Sequence, residues 1–190
     1  MFSNNPFAAL TDTLPATAMQ IYVVLAVLAV VVGVLFDIVH KSSAKYFFAN
    51  WRNTKKRGTR QVEGGEMVSI AVKTAVVDVL ASGEFCNMRR RIAHLLTMYG
   101  FLLYVGITAA MIFGYPTPAT PTPAILPQLW WLGGLLVCAG GYWFWFFIRV
   151  DVAAEGGSPW RLMRADLFVL SLMISVTLGL LWAVLQARSS

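Results

Sequence analysis

The chain has 190 residues, 58% of them hydrophobic and 13% charged, with a formal net charge of +6. A mean hydropathy of +0.66 is too high for a soluble domain of this length. The basic residues sit beside apolar runs, so membrane topology and lipid headgroups explain the positive charge before nucleic acid does, and no nucleic-acid partner is expected.

In chain order, residues 1–17 carry one charge, Asp12, and no Lys or Arg, unlike the leading segment of a cleavable signal. Spanning helices of about 20 apolar residues are predicted at about 18–39, 92–114, 126–149 and 165–186. The expected fold class is therefore an all-α integral membrane protein with four transmembrane helices, a single membrane domain over 1–190.

Of fifteen Lys and Arg, eleven fall in 41–92, three in 149–164, and Arg188 lies near the C-terminus. Cytoplasmic loops collect such residues, so both loops are expected inside and both termini outside. Within the inner loop, KKRG (55–58) and EGGE (63–66) read as breakers or exposed turns. Between them and the second span, 67–82 has Ser69, Lys73, Thr74, Asp78 and Ser82 on one narrow stripe. It is predicted as an amphipathic helix lying at the interface, under a partner, or against its own bundle. The outer loop 115–128 carries no charge and five prolines, and reads as a stiff hairpin.

In the third span, Gly133, Gly134, Gly140 and Gly141 repeat at seven residues, with Cys138 beside them. Small residues permit close helix approach or leave a groove for a flat ligand. The aromatic cluster Tyr142–Phe147 then reads as an interfacial belt. Cys86 and Cys138 cannot build a disulfide framework and are expected to be reduced.

The chain has two histidines, His40 and His94, predicted at similar depth at the inner edge. Two neutral imidazoles on neighbouring helices suit the axial positions of one haem b. Both also suit plain helix ends at the interface. Asp37 is a candidate partner for His40 or for Arg89, Arg90 or Arg91, and Asp166 for Arg164 or Arg149. Arg89, Arg90 and Arg91 read as a lipid-facing cluster, as a contact to a quinone carbonyl or, with Lys55, Lys56 and Arg57, as a docking patch for an acidic cytoplasmic protein. No phosphate loop, zinc pattern or nucleophile triad is present in the sequence, so a self-contained enzyme is not expected.

Phe85-Cys86 followed by Arg91, His94-Leu95 and Tyr99-Gly100-Phe101 resembles membrane subunits of anaerobic redox complexes. Among these are the C subunit of the quinone-interacting membrane-bound oxidoreductase complex and its heterodisulfide-reductase-E-like relatives. HLLTMYGF (94–101), FGYPTP (113–118) and GGYWFWFFIRVDVAAEG (140–156) look like the membrane-anchor subunit of dissimilatory adenylylsulfate reductase of sulfur-oxidising bacteria. The resemblance implies an inner-membrane anchor that holds the alpha and beta subunits of that reductase on the cytoplasmic face and links them to the quinone pool. The larger relatives carry cysteine-rich iron–sulfur domains and enough histidines for two haems; this chain has neither. A non-redox anchor is the first alternative. A small transporter is the second, and it would need a polar path, whereas mid-span polar residues are few: Thr108, Ser171, Ser175 and Thr177.

Overall fold

The computed structural model describes residues 2–57 and 63–189. It is an all-α membrane protein. Four helices are long and apolar enough to cross a bilayer: α2 (Ala16–His40), α5 (Met88–Gly114), α6 (Ile125–Trp143, continuing as a π-turn segment Phe144–Ile148) and α8 (Leu167–Ser189). Shorter helices are α1 (Pro6–Leu10), α3 (Ser43–Arg57), α4 (Gly64–Lys73, continuing as π-turns Thr74–Leu80) and α7 (Val150–Ala153).

The expected spans hold to within a few residues at most ends. The largest shift is at α5, which begins at Met88 rather than near 92. Asn87 caps it, its Oδ1 accepting from the Arg89 N–H at 2.9 Å. The three arginines therefore belong to the first turn of the span. Pro116 follows the end of α5 and Pro123 precedes α6, where a ring can neither continue nor interrupt a helical hydrogen-bond ladder.

In lipid, side chains gain little by leaving one apolar medium for another, so helices associate where backbones come close. The glycine pairs of α6 do this on two faces. A Cβ on Gly133 would lie 2.7 Å from the Tyr104 nitrogen, and one on Gly140 would lie 2.7 Å from the Ala93 carbonyl oxygen, so both face α5. Gly100 of α5 returns the fit against Val137 and Gly133. Gly134 and Gly141, one position round, meet Leu180 and Met173 of α8. Close packing, rather than a groove for a flat ligand, is what these glycines provide. Around them lies the core of Met111, Trp130, Val137, Val176 and Leu180. Trp130 stacks on Tyr104 at 4.9 Å and donates its indole N–H to Thr108 Oγ1 at 2.9 Å.

Helices α5, α6 and α8 thus form a three-helix unit. None of the apolar window of α2 is buried inside the fold. It meets the unit near its own start, where Gln20 Nε2 donates to the Ile112 carbonyl at 3.2 Å and Met19 is buried. Sequence reading did not foresee α1. Asn5 caps it with Oδ1 and donates from Nδ2 to the Tyr115 carbonyl and to Thr122 Oγ1, both at 3.0 Å. Phe7 then inserts against Trp130 and Trp182. The N-terminal segment closes the end of the bundle that carries both termini, here the terminal end. The opposite end carries residues 41–57, 63–87 and 149–166, here the loop end.

Candidate functional site

The loop end is where the predicted functional residues gather, and the structure separates them into three groups.

The first is a cleft of about 260 Å³ between the start of α5, the π-turns closing α6, and the start of α8. Arg90, His94 and Thr97 line it from α5, Gly141, Phe144 and Ile148 from α6, and Val169 from α8; Phe85 and Val150 complete the walls. The polar residues grade with depth. Arg90 stands in the first turn of α5. Thr97 lies about 10 Å further in, at 1.5 Å per residue, and its hydroxyl is spent on the Ala93 carbonyl at 2.9 Å. His94 Nδ1 is 2.9 Å from Ser82 Oγ, which leaves Nε2 for a ligand. The ring also packs against Phe85 at 5.0 Å.

The second group clamps the end of α4 onto α5. Ser82 is 1% exposed and adopts a positive φ of 51°, uncommon for a residue with a side chain. Beside its bond to His94, Arg91 Nε donates to the Ala81 carbonyl at 2.8 Å and the Tyr99 hydroxyl donates to the Leu80 carbonyl at 2.8 Å. One face of α5 therefore supplies partners for three carbonyl or hydroxyl groups of the incoming chain, groups that would otherwise be left without partners near lipid. Arg91 is committed to this clamp; Arg89 remains exposed. The body of α4 stands free, with Val68, Ile70, Val72 and Val79 all more than half exposed. It starts at Gly64 rather than 67, so the EGGE stretch is its first turn. Its glycines fall at the start of the helix and not in its interior, where glycine costs most, and Glu66 suits the positive end of the helix dipole.

The third group is α3, which sequence reading missed by treating 55–58 as a breaker. Lys55, Lys56 and Arg57 form its last turn, where cations face the negative end of the dipole; Gly58 lies outside the described residues. Tyr46, Phe47, Phe48 and Trp51 are each at least half exposed. Lys55 lies 5.7 Å over the Trp51 ring and Arg52 bonds the Phe48 carbonyl. The signal was available: aromatics at 47, 48 and 51 interleave with cations at 45, 52, 55 and 56, a helical period.

The acidic residues choose differently from one another. Asp37 pairs with Lys41 at 2.7 Å on exposed α2, not with His40 or the arginines of α5. Asp166 takes Arg149 of the two candidates offered by sequence, at 2.8 Å, and both side chains are almost fully buried. Arg149 also donates to the Arg161 carbonyl at 2.8 Å and the Pro159 carbonyl at 3.3 Å, and its guanidinium lies 4.3 Å over the Trp145 ring. Asp166 Oδ2 accepts the Met163 N–H as well. The 149–166 loop is wrapped on this pair. Consequently the aromatic cluster is not a uniform belt: Trp145 is buried under Arg149, Phe144 lines the cleft, and Phe147 alone of the three points out, 71% exposed.

The two histidines do not line one cavity. His94 lines the cleft, whereas His40 lies on α2 and stacks on Phe36 of its own helix at 5.3 Å; both are exposed. The residues as placed offer one axial ligand at the cleft, which does not fit a bis-histidine haem b. Among the described residues no cluster of three or more His, Cys, Asp or Glu is placed to hold a metal ion. Cys86 is exposed and Cys138 sits 3.6 Å from Thr177 Oγ1. No protein-family model, no curated protein and no solved structure compared with this chain matches it.

Proposed function

We propose that the chain is a membrane anchor of a bacterial inner membrane. In this reading the loop end faces the cytoplasm, the termini face the periplasm, and the anchored protein is the two-subunit adenylylsulfate reductase, held where it can exchange electrons with quinone. The observation that carries the reading is α3 together with α4. Both project from the loop end with aromatic, aliphatic and cationic side chains that the bundle does not cover. Uncovered aromatics beside Lys and Arg are the composition of a docking surface for an acidic protein. The motifs at 94–101, 113–118 and 140–156 supply the identity of that partner. Charge excess at 41–92 supplies the sidedness. Docking falls to Lys55, Lys56, Arg57 and exposed Arg89, since Arg91 is held by the Ala81 carbonyl.

The chain's own hydroxyls favour an anchor over a transporter. Thr108, Ser171 and Thr177 each donate to a carbonyl of their own helix, at 2.7 to 2.9 Å, so they line no continuous polar path.

Tagged full-length chain, solubilised gently from cells that express the reductase, should carry both reductase subunits through purification. K55E/K56E/R57E should reduce their recovery at least about tenfold, the scale of losing several rim charges, while leaving the anchor in the membrane. Recovery of the wild-type chain free of reductase would end this reading. Cys86, exposed at the loop end, reports sidedness without engineering: a membrane-impermeant thiol reagent should reach it in inside-out vesicles and not in intact cells.

A further inference from the structure

The cleft at the loop end has a composition that the docking role leaves unused. Of the three consecutive arginines, Arg89 points to solvent and Arg91 is bonded to a carbonyl, while Arg90 is half-buried in the cleft wall. Among the described residues no hydrogen bond or ion pair to Arg90 is found and no carboxylate lines the cleft. His94, one helical turn on and with Nδ1 held by Ser82, stands on the same wall. The facing walls are apolar: Phe144, Ile148 and Val169. A cation on one wall and hydrocarbon-like walls facing it match a molecule with an anionic head and an apolar body. Water-soluble anions match the guanidinium and not the apolar walls; neutral lipids match the walls and leave the guanidinium without a counter-charge.

We infer that this cleft binds one anionic phospholipid, its phosphodiester on Arg90 with the His94 imidazole beside it, and the upper part of its acyl chains against Phe144, Ile148 and Val169. A lipid seated there spans α5, α6 and α8 at the end of the bundle where they are least covered by the chain itself. The site is independent of which protein docks outside.

The purified full-length chain, released from detergent micelles containing equimolar dioleoylphosphatidylglycerol and dioleoylphosphatidylcholine, is examined by native mass spectrometry. One retained phosphatidylglycerol adduct is expected, favoured about tenfold over phosphatidylcholine, as a charge-assisted contact implies. Arg90→Gln should abolish the preference by removing the charge. Val169→Trp should abolish it with every charge in place, by filling the room. Arg89→Gln, outside the cleft, should leave it intact. Equal retention of the two lipids by wild type overturns the proposal, as does an equal fall in Arg89→Gln and Arg90→Gln, which would mean diffuse surface charge. Displacement of the adduct by inorganic phosphate, or by a neutral quinone at equal concentration, overturns it too, because the occupant would then be a free anion or a quinone ring.

Discussion

The two ends of this bundle are built on opposite plans. At the terminal end many weak, neutral contacts share the work. Asn5 makes bonds to α1, Tyr115 and Thr122, Phe2 and Phe7 pack on tryptophans, and Gln186 donates to the Pro6 carbonyl at 3.3 Å. At the loop end a single buried ion pair, Arg149–Asp166, gathers a whole loop, and beside it the cleft and two projecting helices stay uncovered. Distributed contacts make an end that tolerates loss. A concentrated node leaves surface free for other molecules, at the cost of depending on one residue.

The sharpest way to break that contrast is Arg149→Met. It leaves Asp166 buried without its counter-charge and releases the Arg161 and Pro159 carbonyls, so a loss of about 3–5 kcal/mol is expected in denaturant unfolding in detergent. R149M/D166L should recover most of it, because an apolar pair leaves no charge stranded; a double variant as weak as the single would show that the carbonyl bonds, not the ion pair, hold the loop. Next in size is Gly133→Ala, whose methyl meets the α5 backbone at 2.7 Å and should cost about 1–3 kcal/mol. Gly106→Ala, with nothing within 4 Å, should be neutral or slightly stabilising. Equal effects would mean that α5 and α6 are not packed backbone to backbone. Asn5→Ala at the terminal end should cost about 1–2 kcal/mol, the scale of a lost cap, despite removing four hydrogen-bond partners. A loss as large as that of Arg149→Met would erase the distinction between the ends. Smallest is Lys41→Ala, which breaks an exposed pair and should change stability by less than about 0.5 kcal/mol.

The spans were legible because twenty apolar residues in a row admit few other structures, and the glycine repeat of α6 named its packing face in advance. Asp166 could be narrowed to two arginines but not one, since the choice depends on how the 149–166 loop folds back. Asp37 was misjudged because depth along a helix can be counted in residues, but which neighbour a helix leans on cannot. His40 stands at the same end of the bundle as His94, and α2 is held to the other spans near its own beginning. The π-turns at 74–80 and 144–148 leave no mark in hydropathy, yet the second set carries Phe144 toward the cleft and Trp145 beneath Arg149. Helix α3 was legible and overlooked, its cationic end read as punctuation.

Because α2 is joined to the other spans near Met19 and Gln20 and nowhere buried along its apolar length, it works as a lever with its fulcrum on the far side of the bilayer. A rod of 25 residues is about 37 Å long, so leaning by about ten degrees carries its opposite tip roughly 6 Å sideways. Helix α3 rides on that tip. The chain can therefore present the aromatic and cationic face of α3 over a range of positions.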